Sequence, residues 1–303
     1  MRALIADPQA AGGVRLGDAE DPLPAPTEAL VEVKAVSLNY GELRDTRGLT
    51  PGTIPGWDAA GVVVSAAEDG SGPRVGTPVV TFGPHPAWAQ LRAVPTGELA
   101  PLPPEVDFAQ AATLPVAGLS ALQALRRLGF VAGERILVTG AAGGVGRFAV
   151  QLAALAGAHV IAVAGSPARA EGLAGLGAAQ VVTDLAEVTE PVFGALDSVG
   201  GPTLVTAYGL LAEGGTVISL GGASGEPAVF PPYATVGPGR RIESYLGSVD
   251  AGSSRDLATL IRFVAEGRLT PQIGWRGGWD RVAEAAEALY GRKVNGKAVL
   301  DVS

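Results

Sequence analysis

The chain has 303 residues, 47% of them hydrophobic and 17% charged, which gives room for two domains with separate cores and excludes a disordered chain. Its formal charge is −8 and its lysines are Lys34, Lys293 and Lys297, so no basic stripe is available for nucleic acid. No apolar run reaches the roughly 20 residues of a membrane helix, and the absence of cysteine excludes disulfides, thiolate catalysis and cysteine-ligated zinc. The N-terminal "MRALIADPQAAGG" meets Asp7 and Pro8 too early for a signal peptide, so a cytoplasmic address is expected.

In chain order, "RALIA", "ALVEVKAV", "AGVVV", "PVVTF" and "AWAQLRAV" alternate with Gly/Pro turns, the pattern of a largely antiparallel β domain. Residues 99–105, "LAPLPPE", read as a proline-rich connection. From Thr113 to Gly129, leucines at 119, 122, 125 and 128 recur at helical spacing. Strands then alternate with helices: "RILVTG", the helix "VGRFAVQLAALAG", "HVIAVAG", the helix "PARAEGLAGLG", "QVVT", "ALDSVG", a helix near 202–212, "TVISLGG" and "RIESYLG". This predicts a parallel sheet covered by helices on both faces. Helices near 254–266 and 280–290 and a last strand, "GKAVLDV", return to the first domain. The expected fold is α/β: residues 1–113 with 249–303 as one domain, and 114–248 as a domain inserted into it.

The stretch Arg135 to Val150, "RILVTGAAGGVGRFAV", carries the chemistry. Set against G-x-G-x-x-G, Ala141 takes the first glycine position while Gly143 and Gly146 take the others. Gly143 would let backbone N–H groups approach a pyrophosphate at the helix N-terminus, and Gly146 would let the helix pack close to the sheet. In "VIAVAGSPARAEGL", Ala164 and Gly165 stand where an NAD site places its ribose-binding acid, followed by Ser166 and Arg169. Nothing there repels a 2′-phosphate, and a hydroxyl and a guanidinium would hold one, which points to NADPH. Ser166 would equally cap a helix begun by Pro167.

Together with "VSLNYGELRDTRG", "IPGWDAAGVV", "TLPVAGLSALQAL", "DSVGG", "GGTVISLGGASG" and "GRKVNGKAVLDV", these residues resemble the zinc-independent branch of the medium-chain dehydrogenase/reductases, the quinone oxidoreductase group. The resemblance implies a GroES-like β domain built from both ends of the chain, a Rossmann domain between, NADPH in the cleft, and homodimers pairing through "RIESYLGS". Contacts to the nicotinamide half map onto Asn39, Tyr40, Val116, Ser198, Leu220, Gly221, Gly222, Leu246 and Asn295. The phosphate end maps onto Gly143, Gly144, Val145, Ser166 and Arg169. Trp57 stands where zinc-dependent relatives have a histidine ligand, so no metal site is expected. The segment "GSGPRVGTPVVTFGPHPAWAQ" is trimmed, with Thr77 at a usual aspartate, and "WRGGW" has no family counterpart.

The implied reaction is metal-free hydride transfer from NADPH to a quinone or an enone, an apolar carbonyl substrate. Tyr40 is the candidate proton donor, with delivery by water as the alternative. Asn39 would orient a reactant through its amide, or serve as a turn residue. His85, between two prolines, reads as a surface turn residue rather than a second donor. Asp58 reads as a structural carboxylate, and Arg44, Asp45 and Arg47 as a solvated helical face. Trp57, Trp88, Trp275 and Trp279 would line an apolar pocket or fill cores. Two rival functions are a pathway-specific reductase of an enoyl thioester or cyclic imine, and an NADPH-binding protein without turnover.

Overall fold

The computed structural model describes residues 1–46, 48–84, 86–247 and 253–303. His85, Arg47 and the final Ser248 of "RIESYLGS" lie outside the described residues. The chain divides into two compact units, Met1–Leu119 with Ser248–Ser303, and Ser120–Gly247. Boundaries expected at 113/114 and 248/249 thus compare with divisions after Leu119 and Gly247.

The first unit opens with β1 (Arg2–Ala6), β2 (Val14–Asp18), β3 (Glu28–Leu38), α1 (Tyr40–Thr46), β4 (Ala59–Ser65), β5 (Pro78–Thr81), β6 (Leu91–Pro95), β7 (Leu99–Pro101) and α2 (Phe108–Ala112). A π-helical turn, Leu114–Gly118, precedes α3 (Leu119–Arg127). The second unit continues with β8 (Arg135–Val138), α4 (Gly144–Leu155), β9 (His159–Val163), α5 (Pro167–Ala170), β10 (Gln180–Val182), β11 (Val192–Asp197), α6 (Gly201–Gly209), β12 (Leu211–Ser219) and β13 (Arg241–Ser244). The chain returns with α7 (Ser253–Ala265), β14 (Ile273–Gly278), α8 (Val282–Tyr290) and β15 (Lys297–Asp301). No helix among the described residues is long and apolar enough to cross a membrane.

In the first unit the large sheet runs β14-β15-β3-β4-β5-β7, with β6 also paired to β3. Its pairs are antiparallel apart from β14 on β15. Along β3 inward and half-buried residues alternate, as period two requires of a sheet with one packed face. Val31, Val63, Val79, Val94 and Leu99 from neighbouring strands form one core cluster. A second gathers Trp88, Trp279, Leu38, Leu43 and Leu300. Trp88 and Trp279 are therefore core residues, and the pocket-lining alternative fails for both.

The second unit is a six-stranded sheet ordered β10-β9-β8-β11-β12-β13, with every pair parallel. This is the doubly wound order whose two halves diverge between β8 and β11. Leu137, Ile161, Val182, Ala195 and Val217 make its core. The strands are near-continuous buried runs, as parallel strands must be when covered on both faces.

Four sequence expectations need correcting. The helix expected over 113–129 opens with a π turn, Leu114–Gly118, which contains Pro115, and is α-helical only over Leu119–Arg127. The connection at 99–105 contains β7, which pairs with β5. The helix "PARAEGLAGLG" is one turn long: it ends at Glu171, whose ψ of 133° is extended, before Gly172 takes φ +80°. "WRGGW" carries β14, a strand the sequence reading passed over.

Candidate functional site

In the second unit the candidate residues gather at the carboxyl ends of β8 and β11. The chain leaves β8 through Gly140, whose φ of +61° only glycine adopts readily, and whose missing Cβ would lie 2.4 Å from Ser198 Oγ. That explains Ala141 at the motif's first glycine position: the left-handed residue is its neighbour. A Cβ on Gly146 would lie 2.3 Å from the Gly140 carbonyl oxygen and 2.6 Å from Ala141 Cα, so α4 presses directly on the turn. Gly143 is the N-cap of α4, with no side-chain cap and no acidic residue in the first turn. The first N–H groups of α4, at Gly144 and Val145, are thus presented as donors for an anion.

Asp197 joins the two strand ends. Its buried carboxylate accepts from Thr139 Oγ1, from Gly200 N at 2.9 Å and from Val199 N at 3.4 Å, while Leu220 N donates to its carbonyl at 2.7 Å. Burial pushes this carboxyl up and the three donors pull it back. Ser198 Oγ donates to the Thr139 carbonyl at 3.2 Å. A Cβ on Gly221 would meet the Ser198 carbonyl oxygen at 3.2 Å, and one on Gly200 would meet Gly222 Cα at 3.0 Å. Ser198, Leu220, Gly221 and Gly222 are therefore brought to the glycine turn. Ser166 is the N-cap of α5 and accepts from Arg169 N at 3.4 Å, so its capping role is real and its hydroxyl hydrogen stays available to a phosphate oxygen. Leu246 lies just past β13 and is 90% exposed.

In the first unit Asn39 and Val116 meet at Asp58. Asp58 is fully buried and accepts from Ser37 Oγ and Asn39 Nδ2, both at 2.8 Å, and from Val116 N at 3.1 Å. The π turn aims the Val116 N–H at this carboxylate. Glu42 accepts from Asn39 N at 2.9 Å, Asn39 Nδ2 at 2.7 Å and Trp57 N at 2.6 Å. The buried Lys297 ammonium donates to the Leu38 carbonyl at 3.0 Å and to Asn39 Oδ1, and stands 3.6 Å from Asp58. Burial first, then the Asp58 charge, push the Glu42 carboxyl up to about 8. Burial lowers Lys297, opposed by Asp58 and Glu42. Arg92, also buried, donates to the Trp57 carbonyl at 3.1 Å and to Thr81 Oγ1 at 2.6 Å.

The Asn39 amide is thus engaged on both its nitrogen and its oxygen by its own unit. Asp58 has the structural character expected of it. Tyr40, 41% exposed, meets Tyr290 edge-on at 5.8 Å between ring centroids. Asn295 lies two residues before Lys297, half-buried between α8 and β15. Arg44 and Asp45 form an exposed pair. Sequence reasoning missed Glu42, Lys297, Arg92 and Asp197. Glu42 had a signal, since Asn39-x-x-Glu42 is a capping-box spacing. Lys297 had a fainter one, a rare lysine opening an apolar strand.

The residues at Trp57 do not fit a zinc ion. Among the described residues no three His, Cys, Asp or Glu side chains come together to hold a metal. The two carboxyls that do meet, Glu42 and Asp58, spend their oxygens on N–H, O–H and ammonium donors. The second unit does fit a dinucleotide, through the parallel order, the open helix end and the close-packed Gly146.

Residues 144–266 match the family described as zinc-binding dehydrogenase, and residues 25–104 match the alcohol dehydrogenase GroES-like domain. The chain is 31% identical over 299 residues to an NADPH-dependent alkenal/one oxidoreductase of Arabidopsis thaliana, covering 90% of this chain and 72% of that protein. It is 33% identical over 238 residues to an acrylyl-CoA reductase of Ruegeria pomeroyi, covering 68% and 69%. The solved quinone oxidoreductase from Coxiella burnetii superposes with a TM-score of 0.88 at 26% identity, over 100% of this chain and 99% of that one.

Proposed function

The chain belongs to the medium-chain dehydrogenase/reductase superfamily, among its quinone oxidoreductase-like members, and we propose that this oxidoreductase uses NADPH to reduce quinones or activated C=C bonds without a metal. What supports the reading most is the β8–α4 turn, where uncapped N–H groups at a helix end adjoin a loop after β9 that carries Ser166 and Arg169, with Ala164 and Gly165 where an NAD site places its acid. The likeness to an NADPH-dependent alkenal/one oxidoreductase favours the same cofactor.

When bound, the reduced nicotinamide supplies a hydride to the electrophilic carbon of the substrate. The chain's own part is to hold and orient. Gly143, Gly144 and Val145 take the pyrophosphate, and Ser166 and Arg169 take the 2′-phosphate. Val116, Ser198, Leu220, Gly221, Gly222, Leu246 and Asn295 contact the nicotinamide half. The Tyr40 hydroxyl hydrogen-bonds the substrate oxygen and gives it the proton that completes the reduction. Asn39 acts by fixing the backbone from which Tyr40 projects. The enzyme works in the cytoplasm as a homodimer, a state favoured by the edge position of β13 and by the exposure of Ile242 and Leu246 beside it.

The likeness to acrylyl-CoA reductase favours a second reading, in which the C=C bond belongs to an enoyl thioester. Purified protein mixed with NADPH and a panel of quinones, enones and enoyl thioesters should consume reduced nicotinamide, and chelator should leave the rate unchanged. Turnover of thioesters alone selects the second reading. Saturable NADPH binding without turnover across the panel overturns both, and a preference for NADH overturns the cofactor assignment.

A further inference from the structure

Arg147 occupies the first turn of α4, where the helix dipole disfavours a cation. It is also buried, 6% exposed, so its charge has shed most of its water. Its guanidinium reaches two ways. Nε donates to the Ala142 carbonyl, in the glycine turn, at 3.3 Å; Nη2 donates to the Glu171 carbonyl, just past α5, at 2.8 Å. A Cβ on Gly172 would lie 3.5 Å from Nη1, so the loop after β9 rests on this side chain. Burial, then the Arg169 charge, lower the Arg147 pKa, with Glu171 acting the other way.

Positive potential therefore accumulates here from two guanidiniums and a helix end, in a chain whose formal charge is −8. Such a cluster is costly alone and favourable beside an anion of charge near −2, such as a phosphate monoester. The pyrophosphate has the α4 N–H groups to receive it. The guanidinium of Arg147 instead bridges that turn, at the Ala142 carbonyl, to the loop after β9, at the Glu171 carbonyl, the segment that also carries Ser166 and Arg169.

We propose that Arg147 is a positioning residue that confers preference for the 2′-phosphate of NADPH: it ties the loop after β9 to the glycine turn and adds its charge to that of Arg169. This rests on the NADPH reading above. By calorimetry the wild-type protein should bind 2′,5′-ADP at least tenfold tighter than 5′-AMP, two probes that differ only in that phosphate. Arg147→Met should weaken 2′,5′-ADP tenfold or more and 5′-AMP less than twofold. Arg147→Lys keeps the charge but not the two-way fork, and should lose at least threefold of the preference; it also serves should Arg147→Met fail to fold. Equal weakening of both probes, or an unchanged ratio in Arg147→Lys, overturns the proposal. No preference in the wild-type protein overturns the NADPH reading itself, and this inference with it.

Discussion

Lys297 is 3% exposed at the start of an apolar strand, and three oxygens take up its ammonium: a backbone carbonyl, the Asn39 amide and Asp58. The partners lie 258 and 259 residues away for Asn39 and Leu38, which is why no local pattern revealed them. Between Lys297 and Glu42 the Asn39 backbone and amide are pinned, and Tyr40 is the next residue along. Its ring packs on Tyr290, and its hydroxyl is the proton donor proposed for the reaction. Tyr40→Phe keeps the ring and removes that hydroxyl. It should lower kcat about 100-fold, the lower end of what a positioned proton donor contributes, with little change in the KM for NADPH. A kcat within twofold of wild type would transfer proton delivery to water.

The glycine turn between β8 and α4 was the most legible element, because strand, small residues and helix follow one another within sixteen residues of "RILVTGAAGGVGRFAV". The helix start at Gly143 and the close packing at Gly146 could be read from spacing, while the left-handed turn at Gly140 could not, since a positive φ leaves no periodic trace. The π turn was hidden for a related reason: the leucine spacing over 119–128 is helical, and the extra residue shows only in where Val116 N points. At Gly146 the closeness of helix to turn sets a definite expectation. The atoms a Cβ would meet are backbone, at 2.3 and 2.6 Å, so no side chain can swing aside. Gly146→Ala should cost about 1–3 kcal/mol by overpacking. It should also raise the NADPH dissociation constant, because the turn must shift to make room. Thermal melts together with fluorescence titration of NADPH read both effects, and an unchanged dissociation constant would separate the turn from cofactor binding.

At the scale of the whole molecule, the buried charges make stability depend on pH in a form the sequence did not suggest. Glu42 has an ordinary value of 4.5 and a folded one of about 8, so between these the unfolded chain has lost a proton that the native one retains. Stability must therefore fall as pH rises through that window, with a slope approaching about 1.4 kcal/mol per pH unit at its steepest. Asp197, raised from 3.8, acts in the same sense at the acid end. Lys297 acts oppositely. Its folded value lies below 10.5, so the native state releases its proton while the unfolded state keeps it, and stability rises with pH up to 10.5. The two walls are a fall from Glu42 that ends near pH 8 and a rise from Lys297 that ends at 10.5. All four tryptophans, Trp57, Trp88, Trp275 and Trp279, lie in the first unit with Glu42 and Lys297, so urea denaturation followed by tryptophan fluorescence reports the unit concerned. Glu42→Gln places an amide among three N–H donors and will lower stability at every pH, yet it should flatten the acid wall because nothing there titrates. Lys297→Met should lower stability by about 3–5 kcal/mol, the effect of stranding a buried partner, and remove the alkaline wall. The slope, not the absolute value, is the informative quantity. A wild-type stability that climbs steadily from pH 5 to 8 would mean that Glu42 stays ionised in the native state, its charge held by Lys297 and the three N–H donors.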